Sequence, residues 1–315
     1  MLARLQRSIT LGLLACALLW AWGWTQLAVP ARPAIAVIGV VVLLAGHSFF
    51  LALECMLMRR ANRADPAPPA TLRQIASAWL RECWVAPLVF FWRQPFREHA
   101  VPDDLGGRQE GGALRPVVLV HGLVCNRAFW TPWLRVLRAR GQPFIALSLE
   151  PVFGSIDSYV PALDEAVRRI TAATGSAPFI VCHSMGGLVA RAWLAQSGGD
   201  SRVARVLTLG TPHHGTRLAD LGHSPNGQQM RIGSPWLARL AAGETPARRQ
   251  RFTCWYSNCD NVVFPASTAM LADADNRLVQ GQPHVGLAFD VCVMADALAL
   301  LAALLPGNNF PQEQS

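Results

Sequence analysis

The stretch Phe179-Ile-Val-Cys-His-Ser184-Met-Gly-Gly-Leu188 joins a predicted strand to a predicted helix through a short glycine-rich turn. The apolar run over residues 178–182 predicts a buried strand, and residues 188–194 predict a helix. A serine at the apex of such a strand, sharp turn and helix is typical of a nucleophile elbow, which exposes the hydroxyl beside backbone N–H groups. Gly186 and Gly187 indicate that the helix passes close to the strand, where a Cβ would collide.

The elbow pattern G-x-S-x-G is met with one change, because Cys182 stands at the position of the first glycine. Cysteine is small and apolar, so the packing expected of the turn is compatible with it. A five-residue pattern also arises by chance. The alternative interpretation is a buried strand followed by a serine that only caps a helix.

The composition indicates membrane segments, because 52% of the 315 residues are hydrophobic and only 15% are charged. The net charge is +8 and the chain has no lysine. Its arginines are scattered without a basic stripe, so we expect no nucleic-acid partner. Two interpretations of the arginines stay open: they attract the protein to anionic lipid, or they form a solvated surface with no partner. The eight cysteines form no CxxC pair and indicate buried thiols rather than a disulfide framework.

Two uncharged runs near the N-terminus predict a membrane anchor over residues 1–60. Residues 11–29 and residues 34–53 are each long enough to cross a hydrocarbon core of about 30 Å. Arginines flank the outer ends of this pair, so the positive-inside rule predicts a hairpin with both ends in the cytoplasm. We therefore expect the inner membrane of a bacterium, with the catalytic domain on the cytoplasmic side. A signal peptide is the alternative for the first run.

Residues 61–114 predict a proline-rich linker followed by an amphipathic helix. Apolar residues recur at helical spacing between residues 72 and 84, and Glu82 falls off that apolar stripe. The helix is expected either to lie at the membrane interface or to pack on the catalytic domain. Glycines at residues 106, 107, 111 and 112 predict a loop.

From residue 115 onwards, short apolar strands alternate with helices, which is typical of an α/β protein with a parallel sheet. The predicted strands cover residues 116–120, 144–148, 178–182, 204–209 and 251–256. We expect residues 115–315 to form a single catalytic domain. Residues 211–247 contain no predicted strand and form an insertion that is either a lid or a helical segment packed on the sheet.

The elbow serine needs a base, and the base needs an acid that orients it. With such an elbow the three residues follow in the order Ser, acid, His. His284 is the histidine that leaves room for an acid after Ser184, and His183 is expected to point away from the serine. Asp260 is the predicted acid because it follows a strand end, where open α/β sheets form their sites. Asp273 and Asp275 are the alternatives.

Residues 117–126 provide a place for an oxyanion hole, since a strand runs there into His121-Gly122. The backbone N–H groups of Leu123 and Met185 are the predicted donors. His121 is then expected to support this loop without taking part in the chemistry.

These segments resemble the α/β-hydrolase superfamily, and within it the bacterial triacylglycerol lipases and related lipid esterases. The resemblance rests on His121-Gly-Leu, on Cys182-His-Ser-Met-Gly-Gly, on Leu207-Thr-Leu-Gly-Thr-Pro-His-His-Gly-Thr216 and on the late Asp and His. It covers residue 115 to the C-terminus and implies an α/β-hydrolase fold and cleavage of lipid esters through an acyl-enzyme. Related secreted lipases that hold calcium carry an acid shortly after the histidine, whereas Val285, Gly286 and Leu287 stand here, so we predict no metal and no cofactor.

The sequence therefore predicts a membrane-anchored serine hydrolase whose partners are the membrane and a lipid or other acyl ester. An acyltransferase or thioesterase with the same Ser, Asp and His is the first alternative. A membrane protein that keeps the scaffold only for binding is the second.

Overall fold

Six strands form one parallel sheet in the part of the chain that follows residue 114. The computed structural model describes residues 1–27, 30–106 and 114–304, so nearly all of the predicted glycine loop lies outside the described residues. The sheet has the order β2-β1-β3-β4-β5-β6. Its strands are β1 Val117–Val120, β2 Phe144–Ala146, β3 Phe179–His183, β4 Arg205–Leu209, β5 Phe252–Tyr256 and β6 Asp275–Leu278. The parallel α/β sheet predicted from the sequence is confirmed, and it fits an α/β-hydrolase fold.

The described helices fall into an N-terminal group and a group that flanks the sheet. The N-terminal helices are α1 Leu2–Thr25, α2 Arg32–Ala45, α3 His47–Ala61, α4 Leu72–Pro87 and the single turn α5 Gln94–Phe96. The helices that follow β1 are α6 Thr131–Ala139, α7 Val160–Thr174, α8 Met185–Ser197, α9 Pro225–Gln229, α10 Pro235–Ala242, α11 Pro246–Arg249, α12 His284–Leu287 and α13 Val291–Ala303.

Both faces of the sheet are covered, because the side chains of each strand alternate between two apolar cores. In β1, Val118 and Val120 pack into the core built with α7 and α8. Val117 and Leu119 pack into the core built with α6 and α13. Strands buried on both faces read as continuous apolar runs, and this explains why they could be predicted.

The sixth strand, β6, is absent from the sequence-based prediction because Asp275-Asn-Arg-Leu278 is polar. It pairs with β5 at the edge of the sheet, with Asp275 opposite Thr253. Because the strands are parallel, Asp275 lies at the amino end of this edge. The two alternative acids are engaged there in ion pairs: Asp275 with Arg277 and Asp273 with Arg249.

The first predicted membrane run forms one helix, α1, which is long and apolar enough to cross a membrane. The second run is broken: α2 and α3 are bent by 50° where they meet at Gly46. His47 Nδ1 and Ser48 Oγ bond back to the carbonyls of Leu44 and Ala45 at this bend. Side chains that compete for helix carbonyls bend helices. The straight span predicted over residues 34–53 is therefore divided in two.

Helix α3 packs on the domain that contains the sheet, with Leu51, Glu54, Cys55 and Met58 buried. In contrast, α2 has no buried residue, and Ala17 is the one buried residue of α1 beyond Thr10. The end of the anchor nearest the linker thus forms part of the surface of the sheet-bearing domain.

Helix α4 begins at a capping box formed by Thr71 and Gln74 and runs into a π-helical turn, Leu88–Arg93. Its buried side carries Ala78 and Glu82, with Glu82 only 2% exposed. Glu82, which falls off the predicted apolar stripe, therefore lies on the side of α4 that packs on the sheet-bearing domain. The opposite side is an exposed apolar row with a spacing of four residues, which we call the outer row: Leu80, Trp84, Leu88 and Trp92.

The predicted lid, residues 211–247, contains α9, α10 and the start of α11. Trp236, Leu237 and Leu240 of α10 are buried in the core that contains α8. Glu244 forms a bidentate ion pair with Arg191 of α8, and both side chains are 1% exposed. The gating role of this segment stays a prediction.

Candidate active site

Ser184 lies between the end of β3 and the first residue of α8, with φ 54° and ψ −129°. Non-glycine residues adopt positive φ rarely and at a cost in free energy, so this conformation is held by its surroundings. The Ser184 N–H donates to the carbonyl of Leu209 at 2.9 Å, and the Thr211 hydroxyl donates to the Ser184 carbonyl at 2.8 Å. The predicted strand, sharp turn and helix are all present in the structure.

The two elbow glycines are required by close contacts with neighbouring elements. A Cβ on Gly186 would stand 2.4 Å from the Val120 carbonyl oxygen, and one on Gly187 would stand 2.2 Å from Thr211 Oγ1. Cys182, the residue that departs from the pattern, is fully buried among apolar side chains. Burial raises the pKa of its thiol, which therefore remains protonated and inert.

Asp260 and His284 are joined by a hydrogen bond of 2.9 Å from His284 Nδ1 to Asp260 Oδ2. The other oxygen, Asp260 Oδ1, accepts from the N–H groups of Val262 and Val263, which fixes the carboxylate. With a proton on Nδ1, the neutral ring has a lone pair on Nε2, as a general base requires. Burial alone would lower the pKa of His284. The negative charges of Asp260, Glu82 and Glu54 raise it by more than burial lowers it, so the pKa of His284 lies above its usual value.

Gly210 at the end of β4 allows this pair to form beside it. Its φ is 58°, and a Cβ there would stand 2.8 Å from Asp260 Oδ2 and 3.2 Å from His284 Nδ1. The structure thus brings Asp260 to the predicted base. Asp273 and Asp275 lie at the amino end of the sheet, whereas Ser184 and Asp260 follow carboxyl ends of strands.

Gly122 brings the predicted oxyanion loop against the serine. A Cβ on Gly122 would stand 2.7 Å from Ser184 Cβ and 3.3 Å from its Oγ. Leu123 lines the same cavity as Ser184, and Met185 is the first residue of α8, so both predicted donors are next to the serine along the backbone or across the cavity. Val124 has φ 57°, a second strained backbone position in this loop.

His121 is buried beneath this loop and takes part in two hydrogen bonds. Its Nδ1 donates to the Gly122 carbonyl at 2.8 Å, and its Nε2 accepts from the Leu149 N–H at 3.0 Å. Burial lowers the pKa of His121 to about 4, so the ring is neutral near pH 7. These contacts tie β1 to the segment after β2, as expected of a residue that supports the loop.

Ser184 and His284 open into a cavity of about 560 Å³ whose far wall is made by the N-terminal helices. Those helices contribute His47, Phe50, Leu51, Glu54, Glu82, Ala86, Pro87, Phe90 and Phe91. Among the residues that line it, Ala, Pro, Leu, Val and Phe predominate, so the cavity suits an apolar group. Packing of α4 on this domain is one of the two arrangements expected from the sequence, whereas the contribution of α3 to the cavity could not be predicted.

The structure places His183, which is expected to point away from the serine, beside the predicted base. Its ring stacks on Phe129, with centroids 4.5 Å apart, and lies 4.6 Å from the ring of His284. Its Nε2 donates to the His284 carbonyl at 3.1 Å, since a carbonyl oxygen only accepts. Burial, followed by the charge of His284, holds the pKa of His183 well below its usual value. His183 therefore supports His284 as a neutral side chain.

Two further carboxylates that sequence reasoning missed lie behind His284. Glu82 accepts from the backbone N–H groups of Val285 and Gly286 at 2.8 and 3.0 Å. Glu54 accepts from Asn261 Nδ2 at 2.7 Å, and Asn261 Oδ1 accepts from the His284 N–H at 3.1 Å. A signal exists in the sequence, because Glu54 is the first acidic residue of the chain and ends an apolar run.

A metal is not suggested by the described residues. Within residues 1–27, 30–106 and 114–304, no group of three or more His, Cys, Asp or Glu side chains is arranged to hold an ion.

Comparisons with known proteins agree with this fold. A family model described as the α/β hydrolase fold matches residues 115–226. The mature lipase BlEst2 of Bacillus licheniformis superposes with a TM-score of 0.55 at 20% identity, over 62% of this chain and 95% of that one. Lipase B of Aspergillus fumigatus superposes with a TM-score of 0.59 at 15% identity, over 93% of this chain and 86% of that one. No curated protein matches the chain. At these identities the structural likeness establishes the fold alone, and the matched family model describes the same fold over residues 115–226.

Proposed function

We propose that this protein is a membrane-anchored serine hydrolase that cleaves carboxylic esters of lipids through an acyl-enzyme. The observation that carries the proposal is the hydrogen-bonded Asp260–His284 pair, whose histidine lines the same apolar cavity as the strained Ser184. A strained serine, a buried base and an acid that orients it are the parts that acyl transfer requires.

In the proposed mechanism Ser184 Oγ attacks the ester carbonyl and His284 Nε2 takes the hydroxyl proton. The N–H groups of Leu123 and Met185 stabilise the oxyanion that forms on the carbonyl oxygen. His284 then protonates the leaving alcohol, and the acyl group stays on Ser184. A water molecule, deprotonated by His284, attacks the acyl-enzyme, and His284 returns the proton to Ser184 Oγ as its bond to the acyl carbon breaks and the carboxylic acid leaves. Asp260 stabilises the imidazolium in both steps without taking its proton.

A lipid substrate is favoured by the apolar surface that surrounds the cavity. Phe49, Phe50 and Leu53 of α3 are exposed, and the outer row of α4 lies on the neighbouring element. Large exposed apolar patches mark contact with a membrane or another apolar partner. Because α3 and α4 also form the cavity wall, an acyl chain that leaves a bilayer would meet the cavity at this side.

The length of the hairpin supports partial immersion of this surface. Helix α1 has 24 residues and would extend about 36 Å, whereas the fourteen residues of α2 would extend only about 21 Å. A hydrocarbon core is about 30 Å thick. Membrane contact along α3 and the outer row would make up the difference and draw the mouth of the cavity to the lipid interface.

The orientation is proposed from the arginines at the outer ends of the hairpin. Arg4 and Arg7 precede the apolar part of α1, and Arg59, Arg60 and Arg63 end α3 and follow it. By the positive-inside rule the catalytic domain is cytoplasmic, in the inner membrane of a bacterium. A reporter enzyme that works only in the cytoplasm should be active when it is fused to the C-terminus, and one that works only in the periplasm should be inactive. A periplasmic signal, or a Cys254–Cys259 disulfide in protein from thiol-blocked cells, would overturn the orientation.

The function is tested with a fluorophosphonate probe on the full chain in detergent or lipid. We expect covalent labelling of the wild type, hydrolysis of long-chain p-nitrophenyl esters, and neither in Ser184→Ala. A wild-type protein that folds yet takes no label would instead favour a binding protein on the same scaffold. Labelling without hydrolysis would favour acyl transfer if turnover of the ester begins when an alcohol or thiol acceptor is added.

A further inference from the structure

We propose that Glu82 and Glu54, on the two helices that precede the sheet, are positioning residues for His284, so that part of the N-terminal anchor belongs to the catalytic machinery. The inference rests on the proposed function, and it adds to the Ser, Asp and His two carboxylates more than 200 residues away from His284 in the chain.

Glu82 holds the segment that carries the base. Its two oxygens accept separately from the N–H groups of Val285 and Gly286, the two residues that follow His284. The preceding residue of α4, Arg81, donates through Nη2 to the carbonyls of Gly286 and Phe289, each at 3.4 Å. Helix α4 therefore binds both the N–H groups and a carbonyl group of α12, and a shift of α4 would displace the imidazole of His284.

Glu54 reaches the same histidine by way of Asn261. The Asn261 side chain donates to Glu54 Oε2 and accepts from the His284 N–H, so its amide is fixed at both ends. Asn261 directly follows Asp260, which holds the ring Nδ1. The backbone and the ring of His284 are thus held by neighbouring residues, one of which depends on α3.

The charge of the two carboxylates also acts on the ring. The titratable groups that face His284 are Asp260 after β5, Glu82 on α4, Glu54 on α3 and His183 on β3. The three carboxylates favour the protonated ring, whereas burial opposes it. Burial raises the pKa of Glu82 to about 7 against the two N–H bonds that favour its ionised form, so above pH 7 the carboxylate predominates.

A purely structural role accounts poorly for two such groups. Burying a carboxylate costs free energy that a neutral side chain of similar shape would avoid, so an ionisable group is a poor choice for packing alone. Glu82 is 2% and Glu54 5% exposed. An imidazolium forms next to them in each step of the proposed mechanism, and negative charge nearby stabilises it.

The test compares steady-state kinetics and pH profiles of the full chain in lipid or detergent. Glu82→Gln keeps the volume, loses the charge and sets an NH₂ group against an N–H donor. We expect kcat to fall by about 10- to 100-fold, the effect of a misplaced catalytic group, with KM nearly unchanged. The acid limb of kcat/KM should move to lower pH, because loss of a neighbouring carboxylate lowers the pKa of His284.

Glu54→Gln separates charge from geometry, since a glutamine oxygen can still accept from Asn261. It should shift the acid limb in the same direction with a smaller loss of kcat. Glu82→Asp keeps the charge and should restore the position of the limb better than Glu82→Gln. Glu165→Gln, an exposed carboxylate on α7, is the matched control and should leave both quantities unchanged.

The outcomes distinguish this inference from the function on which it rests. If wild type is active and Ser184→Ala is dead, while Glu82→Gln and Glu54→Gln keep the acid limb in place, the positioning role is wrong and the proposed function stands. If Glu82→Gln fails to fold, the pH of the acid limb of kcat/KM is compared in Glu82→Asp and Glu54→Gln instead. An acid limb that stays in place in Glu54→Gln would again refute the positioning role. A folded wild type without activity or label overturns both proposals.

Discussion

Gly122 lies so close to Ser184 that a Cβ on the glycine would stand 2.7 Å from the serine Cβ. Gly122→Ala should therefore push away the loop that carries the Leu123 N–H. We expect kcat to fall by about 10²- to 10³-fold, as when one oxyanion donor is lost. Gly243→Ala, where a Cβ would meet nothing closer than 3.7 Å, is the control. Steady-state ester hydrolysis is the measurement, and a fully active Gly122→Ala would remove the loop from the mechanism.

The choice of acid is tested by two aspartates at opposite ends of the neighbouring strands β5 and β6. Ser184→Ala should reduce kcat by about 10⁶-fold and Asp260→Asn by about 10⁴-fold, because members of such a unit act together. Asp275→Asn should keep wild-type kcat, since Asp275 only pairs with Arg277 at the amino end of β6. Circular dichroism checks the fold of each variant. The assignment fails if Asp275→Asn is inactive while Asp260→Asn is not.

His121 predicts how stability depends on pH. Its pKa is lowered by burial to about 4 in the folded protein and is near 6.5 when unfolded. Between these values the unfolded chain binds the extra proton, so stability is lost as pH falls from 6.5 towards 4, by up to about 3 kcal/mol. Thermal unfolding against pH measures this slope.

His121→Gln should make that slope shallower, because glutamine can serve both hydrogen-bond partners without titrating. His183 and His213 have lowered pKa values as well, so part of the slope should persist. His99→Gln, at a side chain 83% exposed, should leave the slope unchanged. An identical slope in His121→Gln would refute the assignment.

The outer row of α4 is expected to contact lipid. Trp84→Ser with Trp92→Ser should depress hydrolysis of esters embedded in vesicles far more than that of a short soluble ester. Trp84 is 81% exposed, so thermal stability should barely change. Equal loss on both substrates would mean that the row serves packing and not the membrane.

The insertion of residues 211–247 yields the opposite expectation. Trp236 and Leu240 are buried beside α8, and the Trp236 indole N–H donates to Asp157 at 2.8 Å. Trp236→Ser with Leu240→Ser should lower the melting temperature and reduce activity equally on long and short esters. A selective loss on long-chain, aggregated esters at unchanged stability would support the lid predicted for this segment.

The parts that the sequence predicts well are those in which neighbours in the chain are also neighbours in space. The elbow combines a strand, a strained serine and two glycines within ten residues, so Ser184 could be recognised from local pattern alone. The proximity of Asp260 to His284 could be predicted because parallel strands align their carboxyl ends on one side of the sheet. Strand β6 escaped because it lies at the sheet edge and its residues are polar.

The support of His284 could not be predicted, because it depends on contacts that no local pattern contains. Glu82 lies on a helix whose apolar spacing does not tell the packed side from the exposed side, since the outer row is exposed and the packed side carries a charge. The contact of His183 with His284 could not be predicted, because the direction of a side chain at the end of a strand depends on the turn that follows. The bend at Gly46 depends on two side chains that bond back to carbonyls.

The docking of α3 and α4 has a practical consequence for handling this molecule. A fragment that starts at residue 61 would lose Glu54 and the Phe50 side of the cavity, and one that starts at residue 115 would lose Glu82 as well. Such fragments retain Ser184 and Asp260, and their inactivity would say nothing about either residue. Removal of the N-terminal helices to obtain a soluble fragment would here also remove one wall of the cavity, because α3 and α4 line that cavity together with Ser184.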